Sequence, residues 1–311
     1  MKRLLTLALA ALLAGCSTPS TPAAAPPPAW TAGASLVMPR DDFGLTVVGG
    51  RFWAVGGMTG ARGNVLDSVE VFDPGADAWA GGPTMPTPRS SSGVALLGDE
   101  IYVIGGMGQG GTVSAAVESL DTTTGTWTTH RPLPAPRMQL AAAVVDGKVW
   151  AIGGNDASGP PTGAVDIYDP ATDTWKPGPS LTIPRYGLSA LPFDGAVYAV
   201  GGKDSTHPLT AVEVLSADRR QWIEGPDLPA AMTRLGLAEL DGALHAVEAG
   251  DHFVLRPGGG SWATAAAMPT SRHGLGLVGY DGKLYAIGGC RTYDVADVGV
   301  NEVFQPQEAT A

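Results

Sequence analysis

One hydrophobic phrase recurs along the chain: an apolar residue, an aromatic, two small or aliphatic residues, and a pair of glycines. It stands at Phe52-Trp53-Ala54-Val55-Gly56-Gly57, Ile101-Tyr102-Val103-Ile104-Gly105-Gly106, Val149-Trp150-Ala151-Ile152-Gly153-Gly154, Val197-Tyr198-Ala199-Val200-Gly201-Gly202 and Leu284-Tyr285-Ala286-Ile287-Gly288-Gly289. A degenerate copy, Leu244-His245-Ala246-Val247-Glu248-Ala249, carries Glu-Ala in place of the glycines. Self-similarity at a fixed spacing means that each unit is one supersecondary element burying its faces against its neighbours.

The most regular unit shows what that element is. Residues 89–97 read as a short strand, Gly98-Asp99 as a tight turn, and residues 100–104 as a second strand ending at the diglycine. Residues 117–121 alternate as a half-buried third strand, Thr122–Gly125 turn the chain, and Trp127 opens a fourth strand that runs to Leu133-Pro134. Four antiparallel strands per unit predict a blade, and a ring of blades removes the exposed edges a lone sheet would have. Helical repeats are excluded, because no segment beyond the N-terminal leader sustains a 3.6-residue period.

The ring has six blades by two independent counts. Glycine pairs or their substitute stand at 56, 105, 153, 201, 248 and 288, and tryptophans opening the fourth strand at Trp30, Trp79, Trp127, Trp175, Trp222 and Trp262. The two series are offset. The last unit lacks its tryptophan, whereas Trp30 precedes the first unit, so residues 30–37 are expected to complete the last blade. The diglycine, the aromatic ahead of it, the carboxylate in Val69-Glu70-Val71-Phe72-Asp73 and Trp79, six residues after that aspartate, together resemble the kelch repeat over about residues 30–305. The resemblance implies an all-β, six-bladed kelch β-propeller of four antiparallel strands per blade, its ring closed by the N-terminal strand, and a role in binding or scaffolding.

Composition adds the compartment. Lys2 and Arg3, the apolar run Leu4–Leu12 and then Leu13-Ala14-Gly15-Cys16 form an export signal too short for a spanning helix. Leu-Ala-Gly-Cys resembles the bacterial lipobox, which implies acylation at Cys16 and anchoring to a membrane of the bacterial cell envelope. The expected organisation is therefore a signal peptide at 1–15, a lipidated cysteine with a Pro/Ala/Ser/Thr-rich tether at 16–29, and the propeller at 30–311. A net charge of −11 disfavours nucleic acid as a partner.

Candidate chemistry is sparse. Arg40, Arg89, Arg137, Arg185 and Arg272 each stand sixteen residues before the first glycine of their unit, at the start of the inner strand. Two readings are open: a ring of guanidiniums around one channel mouth that takes a small anion, or structural pairing with the blade carboxylates Glu70, Glu118, Asp166, Glu213 and Glu302. The fifth unit breaks the pattern. Met232 takes the arginine slot, Arg234 lies two residues on, Glu248 replaces a glycine, and the loop before Asp251 and His252 is nearly absent, which shortens the repeat from about 48 residues to about 38. Either this opens a notch in which Arg234, Glu248, Asp251 and His252 perform acid/base work, or one repeat has drifted.

The scattered histidines show no metal-ligand spacing, no cofactor is expected, and Cys290 reads as an inert loop thiol. The variable loops Met58–Asn64, Met107–Thr112, Asn155–Thr162, Lys203–Pro208 and Arg291–Asp294 are the expected contact surface for a protein or glycan partner. The alternative function is an enzyme acting on an acidic sugar, because an exported six-bladed kelch architecture resembles that of bacterial sialic acid mutarotases.

Overall fold

A computed structural model of the chain describes residues 29–60, 63–291 and 296–306. Cys16, the export signal and most of the tether lie outside the described residues. Among the described residues there are six four-stranded antiparallel sheets. Blade 2 is representative, with Gly93–Leu97 innermost, followed outward by Glu100–Ile104, Val117–Asp121 and Thr126–His130. Blade 6 takes three strands from the C-terminal end (Gly276–Tyr280, Lys283–Ile287 and Asn301–Gln305) and its outermost from the N-terminal end, Ala29–Gly33. That strand pairs Trp30 with Phe304 and Gly33 with Asn301, so the two chain ends close the ring as the tryptophan count requires. No helix among the described residues is long and apolar enough to cross a membrane.

The blades follow from local sequence. The second strands are buried on both faces, Ile101–Ile104 throughout, so alternate side chains pack against the preceding blade and against the following one. The seams are filled from both sides: Ile104 and Leu133 of blade 2 meet Leu140, Val149 and Tyr168 of blade 3 in one cluster, and Val247 and Met268 of blade 5 meet Leu275, Leu284 and Phe304 of blade 6 in another. Four of the six inner strands start on glycine, where blades crowd the axis. A Cβ on Gly44 would stand 2.2 Å from the Val94 side chain of the next blade.

Two rings of hydrogen bonds cross all six seams. Each fourth-strand tryptophan donates its indole N–H to a carbonyl of the preceding blade: Trp79 to Ala34, Trp127 to Pro83, Trp175 to Arg131, Trp222 to Pro179, Trp262 to Pro226, and Trp30 to Ala266 across the closure. Nearer the axis, the N–H of each second glycine donates to the carbonyl at the arginine slot of the next blade, as from Gly106 to Arg137 at 2.8 Å; Ala249 does the same to Arg272 in blade 5. The diglycine is thus a place of close backbone approach. Gly106 has φ +98°, and a Cβ there would lie 2.6 Å from the Ser90 carbonyl oxygen.

One sequence expectation is corrected. The inner strand of blade 2 starts at Gly93 rather than at residue 89, because Ser91 takes φ 53° and turns its peptide groups sideways to the neighbouring blades.

Candidate functional site

The residues that turn sideways define one mouth of the channel. Asp42, Ser91, Gln139, Gly187, Arg234 and Gly274 stand one per blade, each with φ between 49° and 63°. Their backbones form a closed circle in which Asp42 N–H donates to Gly274, Gly274 to Arg234, Arg234 to Gly187, Gly187 to Gln139, Gln139 to Ser91, and Ser91 to Asp42, all at 2.6 to 2.9 Å. Every bond runs in the same sense, so each peptide polarises the next. Four of the six are not glycine, an uncommon use of left-handed backbone for such residues. Below this collar, the inner strands line a mostly aliphatic channel of about 370 Å³. Above it lies a cup of about 500 Å³, walled by Met58, Met107 and Met138 and by Asp41, Asp42, Arg234, His273, Cys290 and Arg291.

The five repeat arginines do not line this mouth. Arg40, Arg89, Arg137, Arg185 and Arg272 are at most 3% exposed, and each guanidinium is held inside its own blade by the third-strand carboxylate. Arg40 meets Glu70 at 2.6 Å, Arg89 Glu118 at 2.7 Å, Arg137 Asp166 at 2.6 Å and Arg272 Glu302 at 2.8 Å, while Arg185 pairs with Glu213. Nη1 of each also donates to the carbonyl of the first glycine, sixteen residues on, and to a second carbonyl just before the third strand. The sixteen-residue spacing seen in sequence is this hydrogen bond. Burial pulls all five guanidinium pKa values down from the ordinary value, against the opposing pull of the carboxylates. Of the two readings of these arginines, the geometry is that of structural pairing: five buried ion pairs within the blades, and no guanidinium of the five at the channel mouth.

Blade 5 solves the same packing problem without charge. Met232 occupies the arginine slot and Phe253 the carboxylate slot, and both lie in one apolar cluster. Glu248 also has a structural task. In blades 1 to 4 the N–H two residues after the arginine slot's predecessor in the chain, at Asp41, Ser90, Met138 and Tyr186, donates to a loop carbonyl after the diglycine. Blade 5 has no such loop: Glu248 faces Asp251 across a two-residue turn, Ala249-Gly250, with φ 52° and 100°. There the N–H of Thr233 donates to Glu248 Oε2 at 2.8 Å, so the carboxylate replaces the missing carbonyl. Burial raises the Glu248 carboxyl to about 7 despite that bond.

The four candidates of blade 5 therefore do not converge. Asp251 is exposed on the hairpin, and neither it nor Glu248 lines the cup. His252 is fully buried in the seam under the closing strand, where it packs edge-on against Trp30 and Phe304. Its Nδ1–H donates to the Ala266 carbonyl at 3.1 Å, so its Nε2 accepts from Nδ1–H of His245 at 2.8 Å. Burial drives His245 down to about 3, with the charge of His252 adding to it, and His252 to about 4. Unfolded imidazoles protonate near pH 6.5, so between about pH 6.5 and 4 the unfolded chain binds up to two more protons than the folded one. Stability from this pair is full above pH 6.5 and is lost as pH falls through that window. A His245→Phe/His252→Leu variant is expected to show a flatter thermal midpoint between pH 6.5 and 4 than its parent. Parallel pH profiles would disprove the assignment.

Arg234 alone of the four reaches the mouth, through its place in the collar. Nε donates to Asp42 Oδ1 at 2.7 Å, and Nη2 lies 2.6 Å from Asp42 Oδ2 and 2.8 Å from Asp41 Oδ2. Burial works to lower its pKa, but Asp42 and then Asp41 together raise it. Asp41 is pushed up to about 7, first by burial and then by the Asp42 charge. Cys290, which read as an inert loop thiol, is buried at the cup wall, and burial with the charges of Asp41 and Asp297 lifts its thiol to about 11. Sequence reasoning missed Asp41, Asp42 and His273, which sit in positions shared by all six units and differ only in side chain.

A ring of six four-stranded blades with a floored cup at one mouth is a β-propeller of the kelch architecture. The family follows from sequence: a profile described as the KLHDC2/KLHL20/DRC7 Kelch-repeats domain matches residues 42–231, and the chain belongs to the kelch-repeat family. Among solved structures, one titled "Structure of YjhT" superimposes with a TM-score of 0.75 over 88% of this chain and 97% of that one, at 13% identity, a likeness of fold. No curated protein matches the chain.

Proposed function

We propose that this chain is an envelope-anchored binding module that receives a segment of a protein partner in the cup above the collar. The observation that carries the reading is the cup's wall. Met58, Met107 and Met138 are side chains that the other repeats do not share, gathered from three blades around one cavity. Thioethers on flexible stems adapt to irregular apolar surfaces, which suits a peptide or loop. Among the described residues no Trp, Tyr or Phe lines the cup to stack on a sugar ring, and the two aspartates on Arg234 leave little for a small anion there. The lipobox-like Leu13-Ala14-Gly15-Cys16 supports export and anchoring.

Capture from envelope extract tests both parts. The parent chain is expected to fractionate with membranes and retain a partner; Met107→Glu/Met138→Glu should keep the parent's melting curve yet lose that partner by tenfold or more. Cys16→Ser should move the protein to the soluble fraction without loss of binding. Equal capture by the parent and the double glutamate variant would remove the cup from recognition.

One observation favours the alternative of an acidic-sugar enzyme resembling the sialic acid mutarotases: Asp41, whose carboxyl titrates at about 7, lines the same cup. Accelerated anomer exchange of an acidic sugar by NMR, lost in Asp41→Asn, would replace the binding reading.

A further inference from the structure

We infer that the cup wall holds a site for a thiophilic divalent cation of the zinc class, with Asp41, His273 and Cys290 as its protein ligands. A carboxylate oxygen of Asp41, an imidazole nitrogen of His273 and the Cys290 sulfur lie within 4.8 Å of one another. In a tetrahedral zinc site with bonds of 2.0–2.3 Å, ligand atoms stand roughly 3.3–3.8 Å apart, so side-chain rotation of about 1 Å closes the set.

The backbone already fixes the three positions. Asp41 and His273 are equivalent residues of adjoining blades 1 and 6, each next to a collar residue, and Cys290 is the direct cross-strand partner of His273. A second observation is independent of this clustering. Asp41 is only 4% exposed, and while its Oδ2 is held by Arg234, its buried Oδ1 has no hydrogen-bond partner. A buried carboxylate oxygen without a donor is costly, and a cation supplies what is missing.

Charge and softness select the ion. Asp41 and Asp42 pair with the Arg234 guanidinium, and Asp297, which accepts from the Gly60 N–H, lies beside Cys290, so three carboxylates share one guanidinium's charge. One sulfur, one nitrogen and one oxygen donor suit zinc-like ions and not magnesium or calcium, which take oxygen. Three protein ligands leave a fourth position open to water or to a donor from the cup's occupant. The site stands whether or not a protein partner fills the cup.

Cobalt(II) titration of the full chain in detergent tests this. Expected are one equivalent bound, a thiolate-to-cobalt charge-transfer band displaced by zinc, and a thermal midpoint that rises with zinc concentration. The band should persist in Cys16→Ser and vanish in Cys290→Ser, and His273→Gln should weaken binding tenfold or more. The half-buried His273 variant decides the matter where Cys290→Ser does not fold. Absence of the band in the parent at millimolar cobalt, its loss in Cys16→Ser, or equal affinity in His273→Gln would each overturn the site.

Discussion

Deleting residues 17–38 is expected to unfold the propeller as a whole. The segment contributes the outermost strand of blade 6, five residues paired with Asn301–Gln305, and the Trp30 indole bond to Ala266 that ties blade 6 to blade 5. It also carries Leu36, buried against blade 1, and the N–H groups of Val37 and Met38 that donate to Glu70 at 2.8 and 3.0 Å. Its loss opens two seams and strips the partner groups from a buried ion pair. A closed ring has no terminal unit to fray, so the damage propagates around it. Circular dichroism melting decides this: a truncated protein that melts with its parent would refute closure as a source of stability. Trp30→Ala is the gentler form, expected to cost about 3 kcal/mol, toward the low end for large aromatic truncations because Trp30 is partly buried. In a domain of this size that is a fall of roughly 6 °C in Tm.

The second large effect concerns the buried ion pairs. Either Arg89→Ala or Glu118→Ala is expected to cost about 3–5 kcal/mol, because each leaves its partner charged, buried and unpaired. The double replacement Arg89→Met/Glu118→Phe copies the apolar solution that blade 5 already uses at Met232 and Phe253, and it should recover much of that loss. Urea unfolding of Arg89→Met, Glu118→Phe and the double closes a cycle, in which the double should be no less stable than either single, a coupling of at least about 3 kcal/mol. Strict additivity would show that the pairs act independently of their partners. The comparison also separates structure from recognition, since guanidiniums this deeply buried should leave partner capture unchanged in any variant that folds.

Much of this was legible in the chain itself. Alternation along the strands, the diglycines and the opening tryptophans are local signals, and each repeats often enough for the offset between series to reveal how the ring closes. Even the arginine positions were visible, because their sixteen-residue spacing is the span of one hydrogen bond within one blade. Their direction was not. Whether a guanidinium at the start of an inner strand points to the axis or back into its blade depends on the collar two residues later, which turns the backbone after the arginine has been placed. Glu248 misled for a similar reason: an acid in a glycine slot looks like chemistry until the deleted loop is seen to leave the N–H of Thr233 without its carbonyl. His252 misled because a shortened hairpin carries it outward into the seam rather than up to the rim.

The sequence by itself determined the blades, their number, the closing strand and the presence of one irregular repeat, because period-two alternation and turn residues act over a few positions and are copied six times. Only the tertiary structure decided what the mouth contains. Asp41, Arg234, His273 and Cys290 come from three blades and meet only because six twisted sheets bring residues next to the collar within reach of one another. That closeness depends on the curvature of the ring, which no spacing along the chain records, so a loop cysteine and an unremarked aspartate became the wall of the one cup on which recognition and metal binding can be tested.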